Sequence, residues 1–444
     1  MNQIKQLTSI LPKTGYLAAA LALRLLLAPF LSHPFDMRIF MAVGAAVSQG
    51  ITPYGQYVLQ NLFVATPHPH LFGVFPGIGY PPLWGLISGE MYSASSILAP
   101  NNLYAYILAL KIPIMIAELL TAILVYNIIK AKMNEKVASK AFLLFAFCPF
   151  LIVVGTVWGM FDVLALFFAL VSAYSFDRNW RLSALFLSVA STLKVFPLLL
   201  APLFSVLISK STQSWTKGLK FLLLTILLTG LFTFLPMFAF NWPLSNMFNA
   251  LGSQVGATST PLDAPYSTVV SFPYGAASPF NVFTLLNSVI SPTLQPPLLS
   301  VYLWIPAVIA VYLLLFRSRK TSTNFGSTMQ WSLLLMLALF TTRVWVSEQN
   351  LVFLFAFLAL SVFLQNPKSL ATVQWVWILL FTFVLVHVPA ISFLWLPYPW
   401  TLNAASAFSD GPLGWTRLLS MTILTLSAFG LSWNYAIKKL RWKA

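Results

Sequence analysis

Apolar residues run through this chain in long blocks, most of them closed at one end by Lys or Arg. Such blocks occupy residues 14–31, 103–129, 141–158, 162–176, 218–240, 299–316, 328–346, 350–365, 370–391 and 414–437. An α-helix needs about 20 apolar residues to cross a bilayer, so the pattern predicts membrane spans. Residues 182–209 are apolar between Arg181 and Lys210 but carry Lys194 and Pro197 in the middle. That length is too short for two full crossings, and it predicts two short helices in a hairpin that turns near Lys194. Broken helices are tolerated where they line a cavity rather than lipid. The expectation is an all-α polytopic membrane protein of about 12 transmembrane helices, with residues 1–444 forming one integral membrane domain and no separate soluble domain.

Residues 80–99 are apolar enough to look like one more span. A crossing there would place Lys130, Lys132, Lys136 and Lys140 outside, against the rule that basic loops stay in the cytoplasm. Residues 33–101 therefore read as a first outer loop holding two interfacial helices, near 37–49 and 82–98. The first starts just after Pro34 and Asp36, both suited to a helix start, and stops at Gly50. The second is interrupted by Gly85, Ser88, Gly89 and Glu90, which suits a helix lying in the interface. A long outer loop follows at 241–298 and a last one at 392–413, with both termini cytoplasmic.

Composition agrees. The chain is 59% hydrophobic and 8% charged, with a mean hydropathy of +0.83, whereas soluble domains carry roughly 25% charged residues. Residues 15–31 contain Arg24 and lack a small-residue cleavage site, so they read as a retained span rather than a signal peptide. The net charge of +16 is explained by cytoplasmic loops, which leaves nothing for a nucleic-acid partner. The one cysteine, Cys148, excludes a disulfide framework.

Six of the 25 Lys and Arg break the inside rule: Arg24, Arg38, Lys111, Lys194, Arg343 and Arg417. Of the nine acids, only Glu135 and Asp177 fall on cytoplasmic segments. The exceptions gather toward the outer side, which is where chemistry is expected. Asp36, in SHPFDMRIF, stands where a span emerges into water. It is either a general base or the cap of the helix that follows. Lys194, in STLKVFPLLLAP, is a charge that calls for a partner in the membrane. A lipid phosphate would serve, and a snorkelling side chain is the alternative. Arg343, in TTRVWVSEQN, is a second phosphate ligand or the partner of Glu348. Asp162 either caps its helix or faces the site. Lys111 and Glu118 lie two turns apart on one helix face and read as a structural ion pair, as does Arg24 with its own partner. His68 and His70, in TPHPH, have no evident third metal ligand. No phosphate-binding glycine loop, CxxC pair or serine nucleophile elbow occurs.

Taken in order, HPFDMRIF, QGITPY, GYPPLW, KIPIMIAE, CPFLIVVGTVWGMFD, STLKVFPLLLAP, SPFNVFTLL and RVWVSEQNLVFLF resemble motifs of the GT-C superfamily of polyprenyl-phosphate-sugar-dependent glycosyltransferases. Within it they resemble the catalytic subunit of GPI mannosyltransferase I and its prokaryotic relatives, over roughly residues 20–365. The resemblance implies a GT-C fold and an inverting transfer on the outer or luminal face, with Asp36 as the catalytic residue. It implies that Lys194 and Arg343 bind the donor phosphate. Asp162, Glu90, Glu348, Arg38 and Asn281 are supporting candidates. The implied donor is a polyprenyl (dolichyl) monophosphate sugar, typically mannose. The acceptor would be a glycolipid or lipid-linked oligosaccharide, and membrane lipids and a small membrane partner subunit are the other partners it admits. No cofactor or metal is expected, since fixed cations can stabilise a monophosphate leaving group. The paired acids of the eukaryotic first loop are replaced here by HPFD, and their His-Asn pair by SPFN. The competing reading is a transporter or lipid flippase with Lys111, Glu118 and Lys194 along its path. The absence of an internal repeat counts against it.

Overall fold

The computed structural model describes residues 12–58, 74–255, 275–287, 302–318, 324–387 and 413–441. The chain begins with α1 (Thr14–Leu27) and α2 (Pro34–Ser48), then an antiparallel hairpin of β1 (Gln56–Val58) and β2 (Val74–Pro76). α3 (Leu83–Leu98), α4 (Leu103–Lys132), α5 (Glu135–Phe147) and the short α6 (Pro149–Ile152) follow, and α6 continues into a π-helical turn, Val153–Trp158. Next come α7 (Asp162–Ser175), α8 (Trp180–Leu193), α9 (Leu200–Thr212), α10 (Trp215–Ala239), α11 (Leu244–Val255) and α12 (Asn281–Asn287). The last five are α13 (Trp304–Arg317), α14 (Phe325–Thr342), α15 (Leu351–Gln365), α16 (Leu370–His387) and α17 (Leu413–Arg441).

Among the described residues, six helical stretches are long and apolar enough to cross a membrane: Leu103–Lys132, Glu135–Trp158, Trp215–Ala239, Phe325–Thr342, Glu348–Gln365 and Pro367–His387. Shorter apolar helices accompany them, and the protein is a polytopic membrane protein. α14 and α15 are buried along almost their whole length and form the centre. α10 lies at the periphery, showing Leu219, Leu223, Leu227 and Leu231 to its surroundings. Helix starts follow from local chemistry. Asn102, Asn134, Asn179 and Asn324 each accept a hydrogen bond from a backbone N–H two or three residues on, which satisfies a donor the helix cannot. The hairpin expected at 182–209 forms, with α8 ending at Leu193 and the chain turning through Lys194 and a 3-10 turn, Phe196–Leu199.

The two helices expected in the first loop also form, and they pack in parallel. The rings of Phe40 and Trp84 meet edge to face at 5.5 Å. Further along, Gly44 touches Ser88 and Gly89 touches Val47. Parallel neighbours need a long return, which the connection through the β-hairpin supplies. Gly44 lies so close to the Ser88 carbonyl and the Tyr106 hydroxyl that a side chain would not fit. Tyr106 uses that approach to donate to the Met41 carbonyl at 2.9 Å. This geometry corrects one expectation. Glu90 is exposed on α3 beside the far end of α2, roughly 16 Å along the helix from Asp36, and cannot assist it.

Candidate active site

Asp36 stands in the first turn of α2, but it does not cap that helix. His33 does: its Nδ1 accepts the Asp36 backbone N–H at 3.2 Å. The Asp36 carboxylate is thereby left for other work. Its Oδ2 accepts the indole N–H of Trp158 at 2.7 Å, and its side chain remains 24% exposed. Trp158 is the last residue of the π-helical turn and stacks on His33, with centroids 4.4 Å apart and planes 11° from parallel. The His33 backbone N–H donates to the Trp158 carbonyl at 3.2 Å. Gly159, at φ +96°, then reverses the chain toward α7. An L side chain would be strained there, and a Cβ would meet Met37.

His33 Nδ1 also lies 3.2 Å from Asp36 Oδ2. Because Nδ1 accepts the backbone N–H, the ring is neutral and the contact is not an ion pair. Burial agrees, holding the imidazole below its usual range against the opposing pull of Asp36 and Glu348.

Beside this group, Lys194 Nζ lies 3.0 Å from Asp162 Oδ2. The approach is off the hydrogen-bond line, and both Asp162 oxygens are buried without a hydrogen-bond partner among the described residues. Asp162 does not cap α7. Its charge balances Lys194, whose ammonium also sits over the rings of Tyr80 at 3.9 Å and Phe161 at 4.7 Å. Tyr80 is placed by the first loop, where its carbonyl accepts the Tyr54 hydroxyl at 2.8 Å. Burial raises the Tyr80 phenol above its usual range, with Lys194 opposing, and both Asp162 and Asp36 act on it electrostatically. Tyr80 thus lies in the electrostatic field of both acids.

A third group comes from the late part of the chain. Glu348 Oε1 lies 3.3 Å from His387 Nε2. Arg417 donates to the His387 carbonyl at 2.5 Å and to that of Val386 at 3.2 Å. His33 feels the charges of Glu348 and His387 as well as that of Asp36. Arg343 ends α14 five residues before Glu348. It is half-buried, and its guanidinium makes no hydrogen bond or ion pair among the described residues. The expected alternative of an Arg343–Glu348 pair is not what forms, since His387 takes that carboxylate. The SPFN loop packs on the same segment: Ala277 N–H donates to the Val346 carbonyl at 3.0 Å and Ser278 to that of Arg343 at 3.2 Å. Asn281 braces that loop through the carbonyls of Gly275 and Ala276, both at 3.1 Å. Arg38 is buried near His33.

The expected Lys111–Glu118 pair is also replaced. Glu118 binds Arg24 at 2.5 Å and accepts from the backbone N–H and hydroxyl of Thr156 at 2.9 and 2.8 Å. Lys111 donates to the carbonyls of Ala28, Leu31 and Val157. Two helical turns put Lys111 and Glu118 on one face but about 10 Å apart, so each found a nearer partner. These groups tie α1, α4 and the π-helical turn together below the site. His68 and His70 lie outside the described residues. A cleft of about 780 Å³, lined by Lys132, Asp177 and Arg178 among others, opens where α4 and α7 end, away from Asp36.

His33, Trp158, Tyr80, His387 and Arg417 were not singled out from sequence as site residues. Three of them lie inside HPFD, VWGMFD and GYPPLW; in the first two, a ring or indole near a candidate acid was the available signal.

No protein-family model matches the chain, and comparison with characterised protein sequences gives no match. Among solved structures, the chain is similar to ArnT from Cupriavidus metallidurans bound to undecaprenyl phosphate. The TM-score is 0.46 at 11% identity, covering 94% of this chain and 78% of that one. A likeness of this size assigns no activity.

Proposed function

We propose that the chain is a membrane glycosyltransferase of the GT-C type, moving a sugar from a polyprenyl monophosphate to a hydroxyl of a glycolipid or lipid-linked oligosaccharide on the outer or luminal face. The observation that carries this reading is Asp36. It is a partly exposed carboxylate freed from helix capping, held by an indole N–H and set among buried charges at one end of the helices. In the proposed step Asp36 takes the proton of the acceptor hydroxyl as its oxygen attacks the anomeric carbon. The bond from that carbon to the phosphate oxygen breaks, and the phosphate departs on its lipid with the electron pair. The configuration inverts.

The cation assigned to the departing phosphate is Arg343, which is half-buried and whose guanidinium makes no hydrogen bond or ion pair among the described residues. Lys194 is 3% exposed and held by Asp162, so its charge acts from behind Tyr80. Mannose and dolichyl phosphate are the finer reading, which the motif resemblance supports. The test is sugar transfer by purified protein from a polyprenyl-phosphate mannose to a lipid-linked glycan. Asp36→Ala should lose at least about 10²-fold in rate, the usual worth of a general base. Transfer at the wild-type rate would sink the mechanism, and movement of the donor between leaflets without transfer would favour a transporter.

A further inference from the structure

We infer that Trp158, locked by His33, is a positioning residue that ties down Oδ2 of Asp36 and so selects Oδ1 as the oxygen that takes the acceptor proton. The inference rests on the reading of Asp36 as general base. A carboxylate on a short side chain turns about a soft, two-fold torsion, so a free aspartate offers either oxygen in a range of directions. Here the indole N–H holds Oδ2 at 2.7 Å. The neighbouring His33 Nδ1 cannot donate to that oxygen, because its lone pair is taken by the Asp36 backbone N–H. Trp158 is therefore the donor that fixes the carboxylate. Oδ1 accepts no hydrogen bond from the described residues, and it belongs to a side chain that is 24% exposed.

Trp158 is itself immobilised. It is 2% exposed, its ring lies flat on His33, and its carbonyl accepts the His33 backbone N–H. It also closes a π-helical turn, a feature frequent at functional sites. His33 thus has two tasks, capping α2 and clamping the indole. Neither residue touches the reacting atoms. Their effect is orientation, and a small misplacement of a catalytic group costs about 10²-fold in rate.

The test compares wild type with Trp158→Phe, which keeps the stack and loses the N–H; Trp158→His, which keeps a ring donor; and His33→Asn, which keeps a capping side chain and loses the stack. Two readouts are used. The first is the indole proton spectrum of the ¹⁵N-Trp protein in detergent, where 15 tryptophans contribute. The signal absent from Trp158→Phe should lie downfield in wild type and move upfield in Asp36→Ala. If it does not move, the hydrogen bond and the inference both fall, whatever the enzyme does.

The second readout is turnover of a short-chain polyprenyl-phosphate mannose. Trp158→Phe should lose about 10²-fold in kcat with donor KM within about two-fold of wild type. Trp158→His should recover part of the loss. Wild-type kcat in Trp158→Phe overturns the inference. If that variant does not fold, wild-type kcat in folded His33→Asn overturns it instead. An active Asp36→Ala would sink the general-base reading, whereas an inactive Asp36→Ala beside a fully active Trp158→Phe would sink the clamp alone.

Discussion

Replacing Gly155 with alanine should destabilise the protein by disturbing a buried ion pair. Gly155 lies in the π-helical turn, and a Cβ there would overlap Glu118 Oε1 and stand 2.9 Å from its Cδ. That carboxylate cannot move aside cheaply. It is 3% exposed and binds Arg24, which is 0% exposed, together with the backbone N–H and hydroxyl of Thr156. Swinging Glu118 away strands a buried guanidinium, and breaking a buried pair costs about 3–5 kcal/mol. Arg24 keeps its bonds to the carbonyls of Ala20 and Ala146, which places the expected loss near the lower figure, about 3 kcal/mol. The lone Cys148 is 2% exposed, so a thiol-reactive dye reports unfolding directly as detergent-solubilised protein is heated. Gly430→Ala is the control, since nothing lies within 4 Å of a Cβ there. The reasoning is refuted if Gly155→Ala melts with wild type while Gly430→Ala does too.

Arg343→Gln should raise the donor KM about tenfold or more, the worth of a charge-assisted hydrogen bond, with little effect on the melting temperature. An unchanged KM would remove Arg343 from the proposed donor site. Gly159→Ala should cost about 1–2 kcal/mol, because the residue is held at φ +96° where L side chains are strained, and dye-reported melting should fall accordingly. The third concerns pH. Burial holds His33 below its ordinary 6.5, so between that lowered value and 6.5 the unfolded chain binds a proton that the folded chain does not. Stability is then complete above 6.5 and declines as pH falls through the window. Melting at pH 5.5 against pH 7.5 should show a drop in wild type that is smaller in His33→Asn, and equal drops would exclude His33 as the cause.

The helices were legible because their signals are local. Apolar runs, the Pro34 and Gly50 signals and the polar break at Lys194 each act within a few residues of chain, and the elements at 34–48, 83–98 and 180–212 formed where those signals lie. Partners were not legible. Spacing shows which helix face carries Glu118, but Arg24 is 94 positions away in sequence, and only tertiary packing brings it nearer than Lys111. Parallel packing of α2 on α3, which removes Glu90 from Asp36, likewise depends on how the chain returns through the β-hairpin. The role of His33 was hidden for a different reason. Histidine is a rare N-cap, and the adjacent Asp36 is the residue type that usually takes that position.

The charges divide into two sets by what they bind. Arg24, in the last turn of α1, and Lys111 and Glu118, within α4, direct their hydrogen-bonding capacity at internal groups: a carboxylate, backbone carbonyls and Thr156. Asp36, Trp158, Asp162, Lys194, Arg343, Glu348 and His387 all stand within a few residues of a helix end. A membrane helix satisfies its own backbone along its length, and burying an ionised group midway along it is expensive. Polar groups able to meet a water-borne or headgroup ligand are therefore confined to the ends. A chain that threads back and forth brings alternate ends together, so residues as distant in sequence as Asp36 and His387 come to act on the same His33. The internal set would then be sensitive to substitutions that alter packing, such as Gly155→Ala. The end set would be sensitive to substitutions that alter charge at constant shape, such as Asp36→Asn, which should abolish transfer and leave the melting temperature close to that of wild type.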